Sequence, residues 1–161
     1  PPGLSPYNKE TPIMRWTPYV TVATVVERAG RFLLVEEDRG GPHTLFNQPA
    51  GHLEPGERIR DGALREVAEE TAWRVGITDY LGMYVYEAPD GKTFHSHAFF
   101  GMALAHLGTE LDRDIMAIHW LTLEDVEALE REGRLRSPLV IKRIRDALAG
   151  KTFPMEVLHE R

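Results

Sequence analysis

Apolar and polar positions alternate in blocks that lay out most of the chain. Thr17–Val26 (TPYVTVATVV) is dense in β-branched residues and predicts a strand. Arg28–Gly30 reads as a turn and Arg31–Glu37 (RFLLVEE) as the returning strand of a hairpin. Asp38–Pro42 is a loop, and residues 43–50 carry no clear period. GHLEPGE, with Gly51, Pro55 and Gly56, reads as another loop before a helical pattern from about Arg58 to Trp73. Val75–Glu87 and Thr93–His106 predict two strands joined by the turn Ala88–Lys92 (APDGK). A short strand follows at Ile115–Thr122. Thr122 with Asp125 three residues on predicts an N-cap and a helix over Leu123–Arg131. Ser137-Pro138 places a cap and a first-turn proline before a last helix, which reaches about Ala149 and ends at Gly150. Strands, a helix, strands and two more helices predict an α+β arrangement with a mixed sheet and helices on more than one side.

Length and composition narrow the class. The 161 residues suit one domain, read here as residues 14–161, with 42% apolar and 27% charged side chains. Residues 1–13 (PPGLSPYNKETPI) hold four prolines and no period, and are expected to be a disordered tail or a non-native addition ahead of Met14. No cysteine is present, which excludes disulfides, thiol catalysis and Cys-built zinc sites and agrees with a reducing, cytoplasmic setting. No apolar run is long enough to span a bilayer. A net charge of −6 without a long Lys/Arg run argues against nucleic-acid and membrane partners.

The chemistry concentrates in Gly51–Trp73, GHLEPGERIRDGALREVAEETAW. At about 100° per residue, Glu66, Glu69 and Glu70 share an arc of about 100°, while Leu64, Val67 and Ala68 fall on the other side. The helix is therefore expected to bury one face and present three carboxylates on the opposite one. Like charges at these spacings repel, and helix propensity does not call for them. A bound cation would make the cluster favourable, and an all-oxygen donor set points to Mg²⁺ or Mn²⁺. Glu57 sits at the loop-to-helix junction, within reach of Arg65, so that the pair can hold the loop to the helix.

The spacing G-x5-E-x7-R-E-x-x-E-E is filled by Gly51, Glu57, Arg65, Glu66, Glu69 and Glu70. This stretch resembles the Nudix box, with one departure: Ala72 stands where the box carries a late glycine, followed by Trp73. VTVATVV, FLLVEE, NQPAGHLE and LRSPLV extend the resemblance to the NudJ-like branch, from about Pro18 to the last helix. The resemblance implies an α/β/α sandwich and hydrolysis of a small pyrophosphate with divalent cations, Mg²⁺ first. For the branch it implies nucleoside di- and triphosphates, thiamine pyrophosphate and hydroxymethylpyrimidine pyrophosphate as substrates. It also implies that Glu66 and Glu70 are the main metal ligands, with Glu69 a further ligand or water-activating carboxylate. Glu57 is then an accessory ligand or the orienting partner of Arg65, and the Ala50 carbonyl a backbone ligand.

Such proteins often use one more acid in the loop before a late Trp-bearing strand. Asp114 is the first choice, with Glu110 and Asp112 competing. His95 and His97 alternate on a strand and can face a substrate together. Asn47 and Gln48 can hydrogen-bond a leaving group. Trp16, Tyr19, Tyr84 and Tyr86 are stacking surfaces of no particular order. His52 is read as a loop residue, and Arg136 with Lys142, Arg143 and Arg145 as a solvated basic face. The competing classes are a nucleotide-binding regulatory module, disfavoured because all four box glutamates are present, and a diphosphate isomerase, disfavoured by the lack of Cys. A homodimer fits the family, though no self-complementary patch is legible.

Overall fold

The structure, a computed structural model, describes residues 15–160; the expected tail at residues 1–13 lies outside the described residues. The opening hairpin forms from β1 (Tyr19–Arg28) and β2 (Arg31–Glu37), followed by two three-residue strands, β3 (Leu45–Asn47) and β4 (Ala50–His52). Helix α1 covers Ile59–Thr71, and the long strands β5 (Trp73–Glu87) and β6 (Thr93–His106) form a second hairpin. Strand β7 (Ile115–Leu121), helices α2 (Leu123–Arg131) and α3 (Leu139–Leu148), and a 3₁₀ turn at Met155–Val157 complete the order.

The sheet is mixed, as the element order predicts. Its order is β3-β2-β1-β6-β5, with β4 pairing β1 and β7 pairing β2. β1 and β6 run parallel, and the other pairs are antiparallel. Period-2 alternation sends neighbouring side chains to opposite faces. Val25, Phe32 and Leu34 therefore pack with Val126, Val140 and Ile144 of α2 and α3. Val22, Val26 and Leu33 face the other way, towards Ala63 and Val67 of α1. The result is an α/β/α sandwich.

One break in the sheet positions everything that follows. β1 and β2 are in register only at Glu27–Phe32 and Arg28–Arg31, next to their turn. Beyond that they diverge, and β4 takes the place on β1 at Thr21, Val22 and Ala23. A cleft opens where the two parts of the sheet separate.

Local chemistry explains the helix ends. Thr122 and Asp125 form a complete capping box at α2. Ser137 Oγ accepts from Leu139 N–H at 3.2 Å, and Pro138 already has helical dihedrals at the start of α3. Helix α1 stops at Thr71 rather than Trp73, because Ala72 adopts a left-handed conformation (φ 58°) while its N–H still bonds Ala68. Ala72 thus does the stopping that glycine usually does. Trp73 is the first residue of β5, which starts earlier than the expected Val75.

Candidate active site

Strand β4 and helix α1 bring the box residues together. The expectation of three carboxylates on an open face holds only for Glu69. Glu66 and Glu70 are each 8% exposed and lie among the buried residues of α1 with Ala63 and Val67. Room for them comes from glycine. A Cβ on Gly51 would run into the Glu66 carboxylate, so the β4 backbone approaches the helix closely enough to cover that group. Glu70 Oε1 accepts from Ala50 N–H at 2.7 Å.

Arg65 organises the cluster. It grips Glu57 in a bidentate pair, with Nε to Oε2 at 2.6 Å and Nη2 to Oε1 at 2.9 Å. Its Nη1 donates to Glu66 Oε1 at 2.9 Å and to Glu69 Oε2 at 3.1 Å, and Nη2 also reaches the His52 carbonyl at 3.2 Å. Both Glu57 oxygens are thus committed to Arg65, and Glu57 Oε1 also accepts from Glu54 N–H. This geometry makes Glu57 the partner that orients Arg65. The hydrogen bonds from Arg65 hold Glu57 below the usual carboxylate range.

Charges of one sign crowd the remaining acids. Burial raises Glu66, against the lowering effect of Arg65. Burial pushes Glu70 up to about 9, and the charges on Glu37, Glu66 and Asp112 add to the shift, while its bond from Ala50 N–H opposes it. A divalent cation would reverse that balance and keep Glu70 ionised at neutral pH. Glu66, Glu69 and Asp112 can each offer an oxygen within 4.8 Å of the others. Such a hard, all-carboxylate donor set fits Mg²⁺ or Mn²⁺ and does not fit a soft metal.

Glu70, beside this cluster, lines a cleft of about 590 Å³. Glu70, Ala50 and Gly51 line one wall, and Tyr19, His52 and Phe94 form an aromatic patch, with Tyr19 and Phe94 centroids 5.5 Å apart.

The structure sorts the residues singled out from the sequence. Asp112 joins the cluster, and its N–H bonds the Glu69 carbonyl at 3.0 Å. Asp114 lines the cleft instead, and its charge acts on Glu37. Asn47 lines the cleft, and its Oδ1 is buried without a partner. Gln48 is not among the residues that line the cleft. It is 1% exposed, its amide donates to the Val140 carbonyl at 2.7 Å, and its Oε1 accepts from Arg143 at 3.1 Å. His95 and His97 do point the same way, but away from the cleft, because Phe94 and Ser96 occupy the cleft face of β6. His97 Nδ1 pairs with the Tyr80 hydroxyl at 2.9 Å, and His95 packs edge-on against Trp16.

Several cleft residues were not legible as such. Phe94 and Ser96 alternate with the two histidines, and choosing between the faces of a strand needs the packing. Arg143, expected on a solvated basic face, is 5% exposed. Its Nη1 and Nη2 bond Gln48 and Ser96, its Nε has no partner, and burial pulls it down to about 10. Arg136 also lines the cleft.

A carboxylate cluster built on a glycine-led loop and helix, opening on a cleft in an α/β/α sandwich, is the scaffold of a hydrolase acting on phosphorus-containing acid anhydrides. Residues 16–143 match the NUDIX domain, and the chain belongs to the Nudix hydrolase family, whose enzymes generally use divalent metals. It is 38% identical over 143 residues to Phosphatase NudJ of Escherichia coli (strain K12), covering 88% of this chain and 90% of that protein. The same figures hold for Phosphatase NudJ of Shigella boydii serotype 4 (strain Sb227), so the chain is a NudJ-like member. A solved NUDIX hydrolase from Nitrosomonas europaea matches with a TM-score of 0.85 at 36% identity, covering 90% of this chain and 98% of that one. Among the described residues, no helix is long and apolar enough to cross a membrane.

Proposed function

We propose that this chain is a Mg²⁺-dependent pyrophosphohydrolase of small phosphorylated metabolites, carried by one domain over residues 14–161. Its substrates on this reading are nucleoside di- and triphosphates or pyrophosphates such as thiamine pyrophosphate and hydroxymethylpyrimidine pyrophosphate. The observation that carries the reading is the convergence of Glu66, Glu69 and Asp112, with Glu70 next to them lining a cleft that also holds an aromatic patch. Glu66, Glu69, Glu70, Asp112 and the Ala50 carbonyl would hold the cations. Bound Mg²⁺ supplies neutralisation of the phosphate charge and a lowered pKa for the attacking water. Arg65 keeps Glu57, Glu66 and Glu69 in fixed positions. Glu69, the most exposed of the box acids that Arg65 contacts, would take the proton from the water attacking phosphorus. Asn47 can bond the substrate through its free amide oxygen, and Tyr19, His52 and Phe94 can stack on its organic ring. The reading requires no nucleic acid, membrane or second copy of the chain.

The test is a panel with Mg²⁺: nucleoside di- and triphosphates, ADP-ribose, a dinucleoside polyphosphate, thiamine pyrophosphate and hydroxymethylpyrimidine pyrophosphate, with products identified by chromatography. Glu70→Gln is expected to lower turnover by about two orders of magnitude while the protein stays folded. Undiminished turnover in that folded variant would remove the ligand assignment.

A further inference from the structure

Helix α3 carries a buried cation, Arg143, with no carboxylate partner among the described residues. Helical side chains lean back towards the N-terminus of their helix. For Arg143 that direction leads to the start of α3, where Ser137 and Leu139 also line the cleft. The side chain is 5% exposed, and among the described residues no carboxylate lies within salt-bridge distance of it. Its partners are two neutral oxygens, Gln48 Oε1 at 3.1 Å and Ser96 Oγ at 2.9 Å, with the Tyr84 ring 5.7 Å away. The Nε–H is buried and unpaired. A buried charge of this kind is strongly unfavourable unless something compensates it. Other cations of the cleft are paired: Arg39 with Glu37 at 3.6 Å and Lys92 with Asp90 at 3.4 Å. Arg136, on the same wall, has no carboxylate partner among the described residues.

We propose that Arg143, assisted by Arg136 and Ser96, is an oxyanion anchor that takes the substrate phosphoryl group lying farther from the carboxylate cluster. The proposal rests on the hydrolase reading above and specifies the substrate as one with an anionic group beyond the diphosphate undergoing attack, such as a nucleoside triphosphate. Arg143 and Glu70 line the same cleft, and the residues that hold them, Gln48 and Ala50, are two apart in the chain. A guanidinium with a free Nε–H offers a phosphate two roughly parallel donors, and its net charge favours an anion over a neutral carbonyl.

Three measurements test this. In EDTA, inorganic phosphate and, separately, tripolyphosphate are titrated against thermal unfolding of wild type, Arg143→Lys and Arg143→Met. Tripolyphosphate is expected to raise the wild-type melting temperature, to do so partly in the Lys variant, and to do nothing in the Met variant. With Mg²⁺, Arg143→Met is expected to raise KM for a nucleoside triphosphate about tenfold or more while kcat changes less than about threefold. KM for the corresponding diphosphate should move far less. If the Met variant does not fold, the Arg143 Nε–Hε resonance of the wild-type protein remains as the readout, and it should shift on saturation with tripolyphosphate. No shift, or an unaltered preference between tri- and diphosphate in a folded Met variant, overturns the anchor. Protection by inorganic phosphate alone, with that preference unmoved, overturns the substrate assignment in favour of a free-phosphate site. Loss of tripolyphosphate binding in the Met variant of a protein that hydrolyses nothing would keep the anchor and discard the hydrolase reading.

Discussion

His97 and Asp112 show how the same residue type changes meaning with its neighbours. His97 lies on the face of β6 opposite the cleft, beside Tyr80, and burial holds its imidazole below the ordinary value of 6.5. The native protein therefore binds fewer protons than the unfolded chain between that lowered value and 6.5. Stability from this residue is complete above pH 6.5 and is lost as the pH falls towards the folded value. Thermal unfolding followed across this range should show a steeper acid-side decline in wild type than in His97→Gln. Equal slopes would mean that the imidazole carries no such penalty. For the acids, Asp112→Asn is expected to slow turnover more than Asp114→Asn, since Asp112 stands with Glu66 and Glu69. Equal losses, or a larger one at Asp114, would return the role to the cleft wall. Sequence spacing placed three acids in one loop, and only the folded loop shows which of them meets the helix.

Elements differ in how well their ends can be read. Helix α2 follows from Thr122 and Asp125, because a capping box is closed by residues three apart. Strands β3 and β4 hold three residues each, too few for a period, and they exist because β2 and β1 supply their partners. The end of α1 depends on Ala72 at φ 58°, a conformation that costs an L-residue more than it costs glycine. Ala72→Gly is expected to stabilise the protein by about 0.5–1 kcal/mol after the extra unfolded-state entropy of glycine is deducted. The melting temperature should then rise by about 1–4 °C with activity unchanged. A fall would show that packing of the Ala72 methyl outweighs the strain.

Across the molecule, the C-terminal segment closes what α1 leaves open. Arg58 at the N-cap makes no side-chain cap, and the Ile59 N–H is instead taken by Glu160 Oε1 at 2.5 Å, about a hundred residues away in the chain. Met155 and Leu158 pack on the apolar cluster beneath α1, and Phe153 pairs with Tyr80 through two backbone hydrogen bonds. The helix that carries the glutamates is thus seated by residues at the far end of the chain. Glu160→Ala is expected to cost about 1 kcal/mol, with a fall of about 2–4 °C in melting temperature. No change would mean that water replaces the carboxylate without loss.

Local order alone settled most of the long strands, all three helices, the capping of α2 and the grouping of Glu57, Arg65, Glu66, Glu69 and Glu70, because each depends on residues within a few turns or a single pleat. The direction in which β6 faces the cleft, the burial of Glu66, Glu70 and Arg143, and the entry of Asp112 into the cluster depended on tertiary structure. Each of those is set by a partner that the chain reaches only after folding: Gly51 against Glu66, Gln48 and Ser96 against Arg143, and the divergence of β1 from β2 that opens the cleft.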